Sequence, residues 1–201
     1  MPLNAQLLKE HGLTLGASYF DLDSKMRINP NPPSGYPNVY KDNICSPLFG
    51  LHLGYYFKLD LKNRFSTDLE ALYGFRTVND FSFPYDMSEG WSSRIVTNPN
   101  LHYVSISAVF NYEPIDKLTV GIGPEPTYYF SSNDDFKRLN SVDNMFDVMG
   151  VAKLAYDFGG FTLSLAYKHG FVSIFESETV ESTKARDLQL MFTIPIRKKK
   201  K

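Results

Sequence analysis

The sequence contains little of what several function classes require. Its 201 residues include a single cysteine, Cys45, so the chain can form neither an internal disulfide nor a thiolate metal cluster. The formal net charge is -1, which argues against a nucleic-acid partner. It has no run of 18 apolar residues, and this excludes a transmembrane helix. Its four histidines are not clustered, and we predict no metal site and no cofactor.

Phenylalanine and tyrosine are what the chain has in excess: it holds 16 Phe and 13 Tyr but only 1 Trp. Many of these rings recur at every second position. In residues 49–60 the odd positions are all large and apolar, and most even positions are glycine or polar. A period of two over twelve residues is long for a soluble strand and is typical of a strand that crosses a membrane at a tilt.

Eight such runs divide the chain, and they predict an all-β fold, an eight-stranded antiparallel up-and-down transmembrane β-barrel. The runs are residues 12–22, 49–60, 65–76, 101–113, 118–130, 146–158, 161–174 and 185–196. The barrel then occupies residues 12–196. Residues 1–11 are predicted to be an N-terminal periplasmic segment, whose Leu3-Asn4-Ala5-Gln6 is compatible with a signal-peptide remnant. Residues 197–201 form a basic C-terminal tail.

The connections between these runs alternate in length. Tight turns are predicted at residues 60–64, 114–117 and 157–160, and long polar loops at residues 24–46, 79–100, 131–144 and 176–184. Short turns on one side and long loops on the other are typical of bacterial outer-membrane barrels, whose short turns face the periplasm. We therefore predict an outer-membrane location with both chain ends periplasmic.

Charged residues and glycines share one face of the strands, which we predict to be the lumen. Eight strands enclose only enough room for side chains, so the charges are expected to pair into a polar plug. The predicted lumen network consists of His52, Lys58, Asp68, Glu70, Arg76, Glu113, Glu125, Asp147, Lys153, Lys168 and Asp187.

Aromatic residues lie near the ends of the opposite, apolar face, with Leu, Val, Ile and Ala between them. Two aromatic belts around an aliphatic band are typical of a lipid-facing wall. The predicted lipid-interface rings are Phe49, Tyr55, Phe57, Phe65, Tyr73, Phe75, Phe110, Tyr112, Tyr128, Phe130, Phe146, Tyr156, Phe158, Phe161 and Phe171.

Several segments carry a resemblance to a known family. They are residues 49–76, Tyr103-Val104-Ser105-Ile106, residues 118–126, residues 146–173 with Tyr167-Lys168-His169-Gly170-Phe171, and Asp187-Leu188-Gln189-Leu190. Together they resemble the PorT-type, OmpX-like outer-membrane β-barrel proteins of Bacteroidota, over most of residues 12–196. The resemblance implies an outer-membrane barrel and an accessory role in protein secretion or transport, and it implies no catalytic residue.

Our main hypothesis is a non-enzymatic structural or accessory barrel in a cell-envelope assembly, with outer-membrane lipid and other envelope proteins as partners. One alternative is a soluble, lipocalin-type barrel with the apolar face turned inward. Another is a lipid-modifying enzyme. For the latter, His102 is near Ser105 and Ser107 in sequence, but offsets of three and five residues in a strand place these serines on the opposite face. We predict no catalytic residue.

Overall fold

The computed structural model describes residues 8–26, 48–77, 80–85, 92–97, 100–131, 146–173 and 180–198. Within these ranges the chain forms ten strands. They are β1 (Leu8–Met26), β2 (Leu48–Lys62), β3 (Phe65–Thr77), β4 (Asp80–Tyr85), β5 (Ser92–Thr97), β6 (Asn100–Ile115), β7 (Leu118–Ser131), β8 (Phe146–Asp157), β9 (Thr162–Gly170) and β10 (Val180–Lys198). Among the described residues, no helix is long and apolar enough to cross a membrane.

Eight of the strands close into a barrel in which every neighbouring pair is antiparallel. The order around the wall is β1-β10-β9-β8-β7-β6-β3-β2, and β1 pairs with β10 to close it. The predicted eight-stranded antiparallel barrel is therefore confirmed. Closure leaves no free strand edge within the barrel wall, which is what a sheet needs in lipid because every backbone group must find its partner internally.

The structure corrects the predicted loop at residues 79–100. β4 and β5 lie inside it and pair with each other as a separate two-stranded sheet, from Asp80↔Thr97 to Tyr85↔Ser92. The Asn, Pro and Ser residues of this stretch favoured a loop in the sequence. Its Phe and Tyr residues alternate on β4, and Ile95 and Val96 lie on β5 opposite Ser82 and Phe81. These residue types have the high β-propensity that a hairpin requires.

Several strands extend beyond their predicted limits. β1 begins at Leu8, inside the predicted segment 1–11, and β10 begins at Val180, inside the predicted loop 176–184. The two strands pair from Glu10↔Lys198 to Met26↔Val180. Backbone pairing continues past the apolar pattern because each ladder step depends on main-chain groups, not on apolar side chains. The remaining parts of the predicted long loops lie outside the described residues.

The three predicted tight turns lie where the sequence places them. Asn63 and Arg64 both have positive φ, of 51° and 70°, as a two-residue hairpin turn of type I′ requires. Lys117 has a φ of 72° in the second turn, and Gly159 a φ of 93° in the third. Each turn joins strands that are neighbours in the wall, so together they mark one end of the barrel, called here the turn end. The opposite end is called the loop end.

The apolar face of the strands points outward. Leu51, Ile106 and Ile122 are 68%, 64% and 69% exposed on the outside, whereas charged and hydroxyl side chains fill the inside. This is opposite to the arrangement that a soluble ligand-binding barrel requires, in which apolar side chains line the interior. A soluble barrel with an aromatic core is therefore inconsistent with the structure.

Candidate functional site

The lumen is the candidate site, because it gathers nearly all of the buried charge. Of the predicted lumen residues, the structure buries His52, Asp68, Glu70, Arg76, Glu125, Asp147, Lys153, Lys168 and Asp187. Lys58 and Glu113 are half-buried, and a carboxylate oxygen of Glu113 accepts a hydrogen bond from the backbone N–H of Lys117 in the turn, at 2.8 Å. Strand parity brings the side chains to this face, since successive residues of a strand point to opposite sides.

Arg76 is the centre of the cluster near the loop end. It is buried at the end of β3, and its guanidinium forms an ion pair with Asp187 of β10. The rings of Phe20 and Tyr103 each lie with their centroids 4.0 Å from the Arg76 Cζ atom. A weakly hydrated, planar guanidinium suits such a position, because it bonds to a carboxylate in its plane and stacks on rings above and below.

Gln189 extends this cluster across the lumen. Its Nε2 donates to Asp187 Oδ2 at 2.7 Å and is 3.3 Å from the Tyr103 hydroxyl oxygen. Next to Asp187 on the neighbouring strand is Lys168, whose Nζ lies 2.8 and 2.6 Å from the two carboxylate oxygens of Glu125. The two ion pairs bring strands β3, β7, β9 and β10 together across the interior.

A second cluster lies nearer the turn end and is centred on Lys153 of β8. Its Nζ donates to Glu70 Oε1 at 2.6 Å and to Asp68 Oδ2 at 3.0 Å. Both carboxylates come from β3, two residues apart, so they share one face and can hold one ammonium between them. Lys58 is the cross-strand neighbour of Asp68 on β2 and places a second cation beside the same pair.

A small apolar cluster lies among the charged residues of the lumen. Val109, Val151, Ala166 and Met191 pack together inside the barrel. Val151 lies two residues from Lys153 on β8, and Ala166 lies two residues from Lys168 on β9, on the side facing the other cluster. These aliphatic side chains fill part of the lumen beside the paired charges.

Sequence reasoning missed the aromatic members of the lumen. Phe20, Tyr103 and Tyr129 are almost fully buried there, and the Tyr129 hydroxyl lies 3.5 Å from the sulfur of Met149. The sequence did contain a signal for them, because the alternation of side chains along each strand places all three rings on the inner face. Gly74 leaves room for the Tyr103 ring. The two residues are cross-strand neighbours, and a Cβ on Gly74 would overlap the ring. A glycine covered by a cross-strand aromatic ring is a recognised way to stabilise such a position.

The predicted interface aromatics all lie on the outer surface. Twelve are exposed and three are half-buried, namely Tyr55, Phe75 and Phe130. Near the turn end the rings of Phe158 and Phe161 stack with centroids 4.9 Å apart, and Phe65 and Tyr112 approach to 5.0 Å. Contacts of this kind link neighbouring strands along the wall.

His102 belongs to the outer wall near the loop end and not to a catalytic cluster. Its ring stacks on Phe130 at 5.4 Å, and its Nδ1 lies 2.7 Å from the Tyr73 hydroxyl oxygen. Ser105 and Ser107 are buried on the lumen side. His52 is also buried in the lumen, but among the described residues neither its ring nitrogens nor the two serine hydroxyls have a hydrogen-bond partner. Among the same residues, no group of three or more His, Cys, Asp or Glu side chains is arranged to hold a metal ion.

Comparison with known proteins agrees with this architecture. The family model described as outer membrane protein beta-barrel domain matches residues 4–176. Neisserial surface protein A (NspA) has a TM-score of 0.54 at 11% identity, over 92% of this chain and 96% of that chain. No curated protein matches the sequence. The similarity to NspA supports the barrel fold and carries nothing about ligands.

Two further solved structures are similar at lower scores. Ail of Yersinia pestis has a TM-score of 0.45 at 12% identity, over 94% of this chain and 99% of that chain. OprG of Pseudomonas aeruginosa has a TM-score of 0.44 at 12% identity, over 94% of this chain and 95% of that chain.

Proposed function

The chain belongs to the outer membrane protein beta-barrel domain family, and from this premise we propose that it is a non-enzymatic, non-conducting barrel that presents its loop end to another protein of the cell envelope. The interior supplies the main support. Three ion-paired groups and a cluster of aliphatic side chains occupy the space in which a pore would have to run.

The β4–β5 ribbon supports a binding role at the loop end. It is inserted between β3 and β6, and its two strands pair only with each other among the described residues. Each strand therefore has an outer edge that pairs with no other described strand. Such edges are used by proteins that recognise an extended segment of a partner through main-chain hydrogen bonds.

We extend the proposal to a role and an orientation that the sequence resemblance implies. The barrel is a PorT-type accessory component of a protein-secretion or transport assembly, with its turn end and both chain ends in the periplasm. The ribbon then lies on the extracellular side, where bacterial outer-membrane barrels carry their longer connections.

Conductance of the full chain in planar lipid bilayers tests the filled lumen. We expect no stable open channel, because opening one would require breaking paired buried charges. A steady single-channel current from the folded wild-type barrel would contradict the non-conducting assignment.

Co-purification from native outer membranes in mild detergent tests whether the β4–β5 ribbon binds a partner protein. Replacing residues 80–97 with a Gly/Ser linker of the same length should remove the partner that co-purifies with the wild-type chain. The control replaces residues 27–44, between β1 and β2, with an equal linker and should retain the partner. A partner that stays bound to the ribbon variant would overturn the proposed docking site.

A further inference from the structure

The β6–β7 seam is the one place in the described barrel wall where backbone pairing stops over several consecutive positions. Ser105↔Thr127 and Phe110↔Ile122 are paired, and the residues between them are not. Both flanking pairs have the same register, so the strands have not slipped. The other seven seams are interrupted only by single-residue irregularities.

Two prolines on β7 cause the interruption. In the common register, Pro124 lies opposite Ala108 and Pro126 opposite Ile106. Proline has no N–H, and residues two apart direct their nitrogens to the same neighbouring strand. The ladder to β8 continues without interruption through Pro124↔Gly150 and Pro126↔Val148. A proline nitrogen that faced β8 would interrupt that ladder, so both proline nitrogens face β6. The carbonyls of Ile106 and Ala108 therefore receive no N–H from β7.

These two carbonyls lie in the middle of a wall that faces lipid. Ile106 and Ile122 beside them are among the most exposed side chains of the barrel. Hydrocarbon offers no hydrogen-bond donor, and backbone of this kind is tolerated at membrane depth where protein covers it or where it lines a polar cavity. The seam therefore favours a ligand that brings its own donors.

The outer wall beside the seam is concave. A groove of about 550 Å³ begins at Phe110 and Ile122, the pair that closes the interruption, and continues over Ala152 and Leu165 to Leu188. Most of its lining is apolar, with Gly121 and Ala152 as small residues and Lys153 as the one charged residue. A groove of this volume lies in the range that holds small ligands, and its lining suits one hydrocarbon chain.

The lumen side of the seam is polar but offers no free charge. Ser105 and Ser107 are more than nine-tenths buried, and their hydroxyls have no hydrogen-bond partner among the described residues. Glu125, between the two prolines, is held by Lys168. The groups available to a ligand are therefore hydroxyls and carbonyls, and these favour an uncharged head that both donates and accepts hydrogen bonds.

We propose that the β6–β7 seam is a lateral binding site for a single-chain amphiphile with an uncharged, hydroxyl-bearing head, such as a monoacylglycerol. The chain lies in the outer groove. The head donates to the carbonyls of Ile106 and Ala108 and reaches the hydroxyls of Ser105 and Ser107 through the parted seam. Gly123 lies close against the Ala108 carbonyl, and parting the strands between Ser105↔Thr127 and Phe110↔Ile122 separates no paired position of the ladder.

Photo-crosslinking in phosphatidylcholine vesicles tests the proposal, with a monoacylglycerol that carries a diazirine on its chain. We expect labelling concentrated on β6, β7 and β8 beside the seam. A diazirine fatty acid of the same chain should label much less, since its carboxylate would find Lys168 already paired with Glu125. Labelling spread evenly around the wall, or equal labelling by the two probes, would overturn the proposal.

A variant in which the β6–β7 ladder is restored provides the comparison with the wild type. Pro124→Thr with Pro126→Thr returns two N–H groups, and we expect labelling to fall about fivefold, as for the loss of roughly one hydrogen bond. Slow amide exchange at both new threonines reports that the ladder has formed. Pro195→Thr, in β10 beside the irregularity opposite His11 and Gly12, is the control and should label like the wild type.

A reversible disulfide across the seam provides a second test if the threonine variant does not fold. In a Cys45→Ser background, Ile106→Cys and Pro126→Cys place two thiols opposite each other across the seam. Labelling should be lost when they are oxidised and should return on reduction. Labelling that persists in the oxidised barrel shows that the seam need not part, and the lateral site is then wrong whatever the loop end binds.

Discussion

Arg76 shows how a single residue organises one half of the lumen. It is fully buried, yet its charge is met by Asp187 in the plane of the guanidinium and by the rings of Phe20 and Tyr103 on its faces. Gln189 Nε2 donates to the same oxygen, Oδ2, of this carboxylate. Arg76 and Asp187 neutralise each other, so removing one of them leaves the other charge buried without its counter-ion.

We expect Arg76→Met to destabilise the barrel by about 3–5 kcal/mol, because Asp187 would remain buried without its cation. The double variant Arg76→Met with Asp187→Leu should recover most of this loss, since neither charge is then left. Urea unfolding in lipid vesicles measures both. If the single and double variants were equally destabilised, packing around the long arginine side chain would matter more than its charge.

At this scale the sequence predicted positions but not partners. Period two assigned each charged residue to the inner face, because parity alone decides it. The pairs depend on how strands are staggered around a closed barrel, which a single sequence does not state. Lys153 on β8 therefore reaches Asp68 and Glu70 on β3, across the lumen and not on a neighbouring strand. Parity also places the rings of Phe20 and Tyr103 on the inner face, but their packing on the guanidinium depends on this stagger.

The hairpin turns are the elements in which the backbone departs most from preferred conformations. Arg64 and Lys117 both adopt positive φ, where a Cβ is unfavourable. Arg64 gains a compensating hydrogen bond from its Nη1 to the carbonyl of Pro114, at 2.9 Å. Lys117 is exposed, and the contact that holds its turn is made by its backbone N–H to Glu113.

Lys117→Gly should therefore stabilise the barrel by about 1 kcal/mol, because glycine adopts positive φ without a steric penalty. Lys117→Ala is the control, since it removes the same charge and keeps the Cβ, and it should show no gain. The urea midpoints of both variants, measured under one lipid condition, decide the matter. An equal rise in both would assign the effect to the lysine charge.

The element boundaries show where local patterns stop being informative. Strand cores and tight turns follow from the sequence, because alternation and turn residues are local. The β4–β5 ribbon and the extended ends of β1 and β10 do not, since each depends on which backbone lies alongside. The two prolines of β7 are instructive: proline argues against a central strand. A barrel tolerates them here with one ladder intact and the other interrupted.

The molecule as a whole has its polar groups inside and its apolar groups outside. Leu53 and His52 are adjacent in β2 and illustrate both environments: Leu53 is 55% exposed on the outer wall, and His52 is buried in the lumen. No ring nitrogen of His52 has a hydrogen-bond partner among the described residues. The inverted pattern is stable only if the exterior solvent is hydrocarbon, since exposed apolar side chains gain nothing in water.

This adjacency allows the orientation to be tested by two substitutions one residue apart. Leu53→Arg should cost about 2–4 kcal/mol in lipid vesicles, because it places a charge at mid-strand on the lipid side. His52→Ala removes a buried imidazole that bonds to nothing described, and should cost no more than about 1 kcal/mol. The heat-dependent shift of the folded barrel on SDS gels shows which samples are folded before their urea midpoints are compared. If the histidine variant were the more costly of the two, the inner and outer faces would have to be exchanged, and the wall assigned to lipid would instead be a core.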